Sequence, residues 1–174
     1  MSTFEINRAP VLTLWATVVA ERLGYDKDTA LSLGKAVAGL TAQRKGQRLG
    51  IYQKKEHAGE PEPAGEVEWV ELVGRQVPTC ALEHGVRAVI RGQAQTPESS
   101  RQYLESKFKD RLEPARKAME HLAAAYEPDE LNRVANRLYE KFRPAIPPGT
   151  RGWGAKGKLD LQLIRSLAGE ASLF

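Results

Sequence analysis

The stretch VLTLWATVVAERLGYDKDTALSLGKAVAGL, residues 11–40, decides the fold. Val11, Leu14, Trp15, Val18, Val19, Arg22 and Leu23 recur at helical spacing, with the Arg22 stem at the edge of the stripe. Proline at position 10 suits a first helical turn, and Gly24 supplies the stop. A second helix is expected to start at Asp26 or Asp28, where a carboxylate caps free amides and complements the dipole. Leu33, Val37 and Leu40 face one way along it. Ala30, Gly34 and Ala38 form a row of small residues, which implies that another backbone packs closely there. Arg44 and Lys45 suit the C-terminal end of this helix, and Gly46 its stop.

Within that stretch, residues 16–33 resemble a helix-turn-helix pattern. Ala20 lets the helices cross, Gly24 makes the turn, and Ala30 and Leu33 are the buried positions of the second helix. A reading helix should open with groups that suit bases and phosphates. This one opens with Asp26, Lys27 and Asp28, so the shape fits and base reading does not.

Further along, HAGEPEPAGE (residues 57–66) is rich in Gly, Pro and Glu and reads as a surface loop. EVEWVELVGRQVP alternates in part, with Val67, Trp69 and Val73 on one side, and reads as a strand. GVRAVIRG supplies a second strand or a short helical turn. Thr96-Pro97 opens a helix with Leu104, Phe108 and Leu112 at intervals of four, and Pro114 interrupts or restarts it. Ala115, Met119, Leu122, Ala123 and Tyr126 continue an apolar face. Pro128 starts another helix, with Leu131, Val134, Ala135, Leu138, Tyr139 and Phe142 inward, that ends before Pro144. The loop PAIPPGTRGWGAKG follows, and Asp160 caps a short terminal helix carrying Leu161, Ile164 and Leu167.

The totals fit one soluble domain: 174 residues, 41% hydrophobic and 28% charged. The longest apolar run, VLTLWATVVA, is too short to span a bilayer, and no membrane partner is expected. No secretory signal is evident in MSTFEINRAP, and the single cysteine, Cys80, fits a reducing cytoplasm. The net charge of +4 is mild. Its one concentrated run is QRKGQRLGIYQKK (residues 43–55), with Arg44, Lys45, Arg48, Lys54 and Lys55 and no acid. These five form the candidate nucleic-acid contact, able to neutralise phosphates without reading sequence. Set against that, they also fit a helix C-terminus followed by a solvated loop.

The second candidate is RGWGAKGK. Gly152-x-Gly154-x-x-Gly157 matches a dinucleotide fingerprint by spelling only. It follows prolines rather than a strand, and too few residues remain for a βαβ unit. The plainer reading is a glycine-rich turn with Lys156 and Lys158 solvated. The alternative is an anion site built from Arg151, Gly152, Gly154, Lys156, Gly157 and Lys158, with Arg143 nearby. GKAVAGLT (residues 34–41) lacks the phosphate-loop lysine, because Leu40 stands in its place. His57, His84 and His121 show no metal-ligand spacing, and Cys80 with His84 reads as a small buried thiol near an unrelated histidine. No catalytic residue, metal site or cofactor is assigned. Asp129-Glu130 suits the first turn of a helix.

RAPVLTLWATVVAERLG, YLESKFKDRL and GWGAKGKLDL together resemble a family of small bacterial proteins with no assigned activity. The resemblance spans residues 8–167. It implies a cytoplasmic bacterial protein and transfers no functional residue.

The expected architecture is a mainly α, single-domain helical bundle over residues 1–174. It comprises a helix-turn-helix-like pair (9–46), a loop (54–66), a small β-hairpin (67–91) and C-terminal helices (97–168). The expected function is a non-enzymatic binding or adaptor protein that touches nucleic acid through the basic run. A small-anion binder or enzyme using residues 149–158 is the alternative, and a structural homo-oligomer a third.

Overall fold

The structure, a computed structural model, describes residues 3–48, 67–82, 85–90, 93–145 and 156–171, with α2 side chains described as far as Gly39. In chain order the elements are β1 (Thr3–Ile6), α1 (Arg8–Arg22), α2 (Lys27–Arg48), β2 (Glu68–Leu72), β3 (Arg75–Leu82), β4 (Gly85–Ile90) and β5 (Gln93–Ala94). There follow α3 (Pro97–Phe108), a 3-10 turn (Lys109–Arg111), α4 (Leu112–Ala124), α5 (Pro128–Phe142), β6 (Gly157–Asp160) and α6 (Leu161–Ala171). The chain is mainly helical.

Helix α1 is the axis of the core. Every residue from Pro10 to Ala20 is buried, not only the expected stripe, because α2, α3, α4, α5 and β2 all pack on it. Its two threonines satisfy themselves: Thr13 Oγ1 donates to the Ala9 carbonyl at 2.9 Å and Thr17 Oγ1 to the Thr13 carbonyl at 2.8 Å. Trp15 is fully buried and its indole N–H donates to the Ala135 carbonyl at 3.0 Å. Phe142 meets the Trp15 ring edge-on at 5.3 Å.

The turn into α2 uses Gly24 at φ +109°, a left-handed conformation. Asp26 caps α2 by accepting from the Thr29 amide at 3.3 Å. The small-residue row does what its spacing implies: a Cβ on Gly34 would strike Thr17 Oγ1 and the Thr13 carbonyl of α1. The expected stop at Gly46 is not used. The helix runs on to Arg48, since one internal glycine costs only about 1 kcal/mol of helix propensity.

The expected hairpin is larger: β2-β3-β4-β5 form a four-stranded antiparallel sheet in that order. Its register pairs Val70 with Val77 and Cys80 with Arg87. The inward face carries Leu72, Val77 and Ala88, whereas Trp69 (64% exposed) and Val67 point out. Val73, expected on the side of Val67 and Trp69, is buried and belongs to the turn with Gly74, both at positive φ (51° and 73°). Asn132 of α5 clamps that turn, donating to the Glu71 carbonyl at 3.0 Å and accepting from the Val73 amide at 3.4 Å. On the other side, the Ala88 amide donates to Ser32 Oγ of α2 at 3.1 Å.

The C-terminal helices begin where their caps imply. Thr96 accepts from the Ser99 amide, Pro128 opens α5, and Asp160 Oδ1 accepts from the Gln162 amide at 2.9 Å ahead of α6. Pro114 lies in the first turn of α4 and so restarts the helix. Residues 157–160, expected within a loop and cap, form β6, which pairs antiparallel with β1. Ala145 adds an isolated bridge to Lys158. A Cβ on Gly157 would overlap the Ala145 carbonyl, so glycine is required where these segments touch.

Candidate anion-binding site

That small β1–β6 sheet gathers four chain ends at one corner: the end of β1, the start of α1, the end of α5 and the start of β6. Ile6 is the partner of Gly157, so Lys156 leaves the ladder on the side where Asn7 leads into α1. Asn7 makes no side-chain cap bond and the first turn of α1 contains no acid. The partial positive charge of that helix end therefore has no carboxylate complement within its own first turn.

Arginines surround it. Arg8, the first residue of α1, turns its side chain to the chain beyond α5, where Nε donates to the Pro144 carbonyl at 2.7 Å. Arg143, exposed at the end of α5, is close enough that its charge acts on Arg8. Burial, and after it the like charge of Arg143, holds the Arg8 guanidinium below its ordinary value. Neither Arg8 nor Arg143 forms an ion pair with a carboxylate among the described residues; the described ion pairs use Arg101, Arg111 and Arg116. Arg75, from the start of β3, reaches the same region. Its Nη1 donates to the Val73 carbonyl at 2.6 Å and to Asn136 Oδ1 of α5 at 2.9 Å.

Tyr139 lies at the centre, buried, with its hydroxyl 3.3 Å from the Arg8 carbonyl. Burial pushes its phenol up to about 12, against the downward pull of Arg143, Arg8 and Arg75. The corner thus brings three arginines near a buried, neutral phenol at a helix N-terminus. It can hold an oxyanion through charge-assisted hydrogen bonds. Arginine stays protonated across the working pH range and Tyr139 is pushed away from it, so the groups are suited to binding rather than proton transfer.

Of the sequence-derived anion residues, Lys156 and Lys158 are exposed and Gly157 is buried at this corner. Arg151, Gly152 and Gly154 lie outside the described residues. In the basic run, Arg44, Lys45 and Arg48 continue the backbone of α2 with their side chains outside the described set, and Lys54 and Lys55 lie outside it altogether. Arg8 and Arg75 were missed because one reads as a helix start and the other as a strand residue. No sequence signal connects positions 8, 75 and 143.

Two further clusters of charged groups have structural partners, whereas the buried Ser100 hydroxyl has no hydrogen-bond partner among the described residues. Glu21, Arg116 and Glu120 form a half-buried ion network joining α1 to α4. Arg87, almost fully buried, donates to the Val86 carbonyl at 2.8 Å and reaches Thr29 Oγ1 at 3.4 Å, tying β4 to the start of α2. Cys80 is buried and His121 exposed, while His57 and His84 lie outside the described residues. Among the described residues no group of His, Cys, Asp and Glu is placed to hold a metal ion, and no helix is long and apolar enough to cross a membrane. Family models, curated proteins and solved structures were all compared with this chain, and none matches.

Proposed function

We propose that the protein is a non-enzymatic binding protein that takes a phosphate or related oxyanion at the corner formed by Arg8, Arg75 and Arg143. The observation that carries this reading is Arg8, whose Nε reaches the Pro144 carbonyl next to Arg143, with neither arginine in an ion pair to a described carboxylate. Two like charges kept together oppose folding, and an anion between them removes that opposition. Cations near the end of α5 also complement its dipole, which accounts for Arg143 by itself. It does not account for Arg8, which arrives from the positive end of another helix.

The helix-turn-helix-like pair supports this division of labour. Thr29 to Gly34, the opening turns of α2, are buried against α1, β4 and α3. A helix covered there serves as core, and the ligand-facing charges lie elsewhere. Exposed Trp69 and Leu82 on the sheet favour self-association as a second property of the same molecule.

Calorimetric titration with inorganic phosphate at low ionic strength tests the site. The wild-type chain is expected to bind, and Arg8→Gln with Arg143→Gln to weaken binding at least about tenfold, since each lost charged hydrogen bond is worth roughly 1.5–3 kcal/mol. Equal binding by the two proteins, or no heat from either, overturns the proposal.

A further inference from the structure

Strand β2 is an edge of the four-stranded sheet, paired with β3 on one side only. The two-residue turn Val73–Gly74 makes its flanking residues, Leu72 and Arg75, a hydrogen-bonded pair, and the bonds to β3 then recur at Val70 and Glu68. Trp69 and Glu71 turn their backbone groups the other way, out of the sheet. Two contacts agree with this. Pro78, the partner of Trp69, has no N–H to offer it, and the Glu71 carbonyl accepts from Asn132 Nδ2 of α5 at 3.0 Å. Asn132 thus closes the edge at the Glu71 carbonyl. The N–H and C=O of Trp69 and the N–H of Glu71 have no partner among the described residues.

The side chains along this edge are of two kinds. Val67 and Trp69, two apart on one face, are both exposed. Glu68 and Glu71 are exposed on opposite faces, and neither forms an ion pair among the described residues. The β3 residues opposite this stretch, Gln76 to Thr79, carry no charge.

We infer that β2 is the docking edge for an extended basic segment of a partner protein, which joins the sheet as a further strand. Its backbone pairs with Trp69, its apolar side chains cover Trp69 and Val67, and its lysines or arginines stand opposite Glu68 and Glu71. The inference does not depend on the anion site. An open edge carrying an exposed tryptophan is a hazard that short strands and charges ordinarily blunt. Here the charges are of one sign, so they repel an acidic strand and attract a basic one. Edge-to-edge pairing of two β2 strands would set Glu68 and Glu71 near their own copies. Association of two molecules through the apolar outer face leaves the edge groups free.

The probe is a synthetic peptide, Thr-Lys-Val-Thr-Lys-Val with blocked ends, whose lysines are three apart as Glu68 and Glu71 are. Its counterpart has glutamate in place of lysine. Both are titrated into the full chain and into a Glu68→Lys, Glu71→Lys variant, whose substitutions lie at exposed positions, and amide exchange is followed by NMR. The wild type is expected to prefer the lysine peptide by about tenfold, and the variant to reverse that preference, since each cross-strand charge pair changes sign. Exchange should slow at the Trp69 and Glu71 amides, while the Val70 amide, already bonded to β3, changes little. Equal binding of both peptides, or none of either, overturns the proposal. Protection that appears elsewhere than at Trp69 and Glu71 also overturns it, because the attraction would then be to the surface and not to the edge. A Trp69 amide protected in a dimer of the protein alone assigns the edge to a second copy and overturns it as well.

Discussion

Tyr139 shows how one residue couples the candidate site to stability. Its phenol is raised by burial to about 12, while an unfolded tyrosine titrates near 10. Between those values the unfolded chain releases its proton and the native chain keeps it. The native state then binds more protons, so stability falls as pH rises through this window. The loss by pH 12 is on the order of 2 kcal/mol. Tyr139→Phe is expected to lose about 1 kcal/mol near neutrality, from the hydroxyl's bond to the Arg8 carbonyl, and then to lack this alkaline decline. Urea denaturation at several pH values between 9 and 11.5 reads the difference. Parallel pH profiles for the two proteins would show that the phenol titrates normally in the fold.

At the scale of elements, the contact between α1 and α2 is legible in the sequence. Ala30, Gly34 and Ala38 are spaced so that only another backbone explains the missing bulk, and Gly34 does meet the Thr13 carbonyl and Thr17. Gly34→Ala sets two effects against each other. It recovers about 1 kcal/mol of helix propensity and incurs about 1–3 kcal/mol or more of overpacking. The atoms it meets include a backbone carbonyl in a helix buried on all sides, which has nowhere to move, so the second effect wins. A net loss of about 2 kcal/mol is expected, read as a lower denaturation midpoint at unchanged slope; a midpoint at or above wild type would mean the helices separate easily. Caps were equally legible, because Asp26, Thr96 and Asp160 act through local hydrogen bonds. The strands were not. β1 and β6 are four residues each with no turn between them, and their pairing spans most of the chain. The β2–β3 turn places Val73 at positive φ, a conformation that β-branched residues disfavour, and only the clamp from Asn132 in α5 makes it intelligible.

For the whole molecule, the candidate site follows from topology rather than from motif. Arg8, Arg75 and Arg143 stand far apart in the chain and come to the same end of α5 because β1 pairs with β6 while the β2–β3 turn leans on α5. Of the glycine-rich stretch, Lys156, Gly157 and Lys158 lie beside the start of α1, and Arg151, Gly152 and Gly154 lie outside the described residues. The same topology makes α1 the last element to be released. It is enclosed by helices on several sides and by the sheet, so its backbone cannot reach water until those layers part. Amides of residues 12–20, which lie beyond the unpaired first turn, are expected to exchange only through global unfolding, with an opening free energy equal to that from denaturation. Amides of β2, at the edge of its sheet, and of the two-residue β5 should exchange through smaller openings. Hydrogen exchange followed by mass spectrometry or NMR compares them directly. If α1 exchanged more readily than the sheet, α1 would be a separable unit, and the corner site at its N-terminus would be assembled only part of the time.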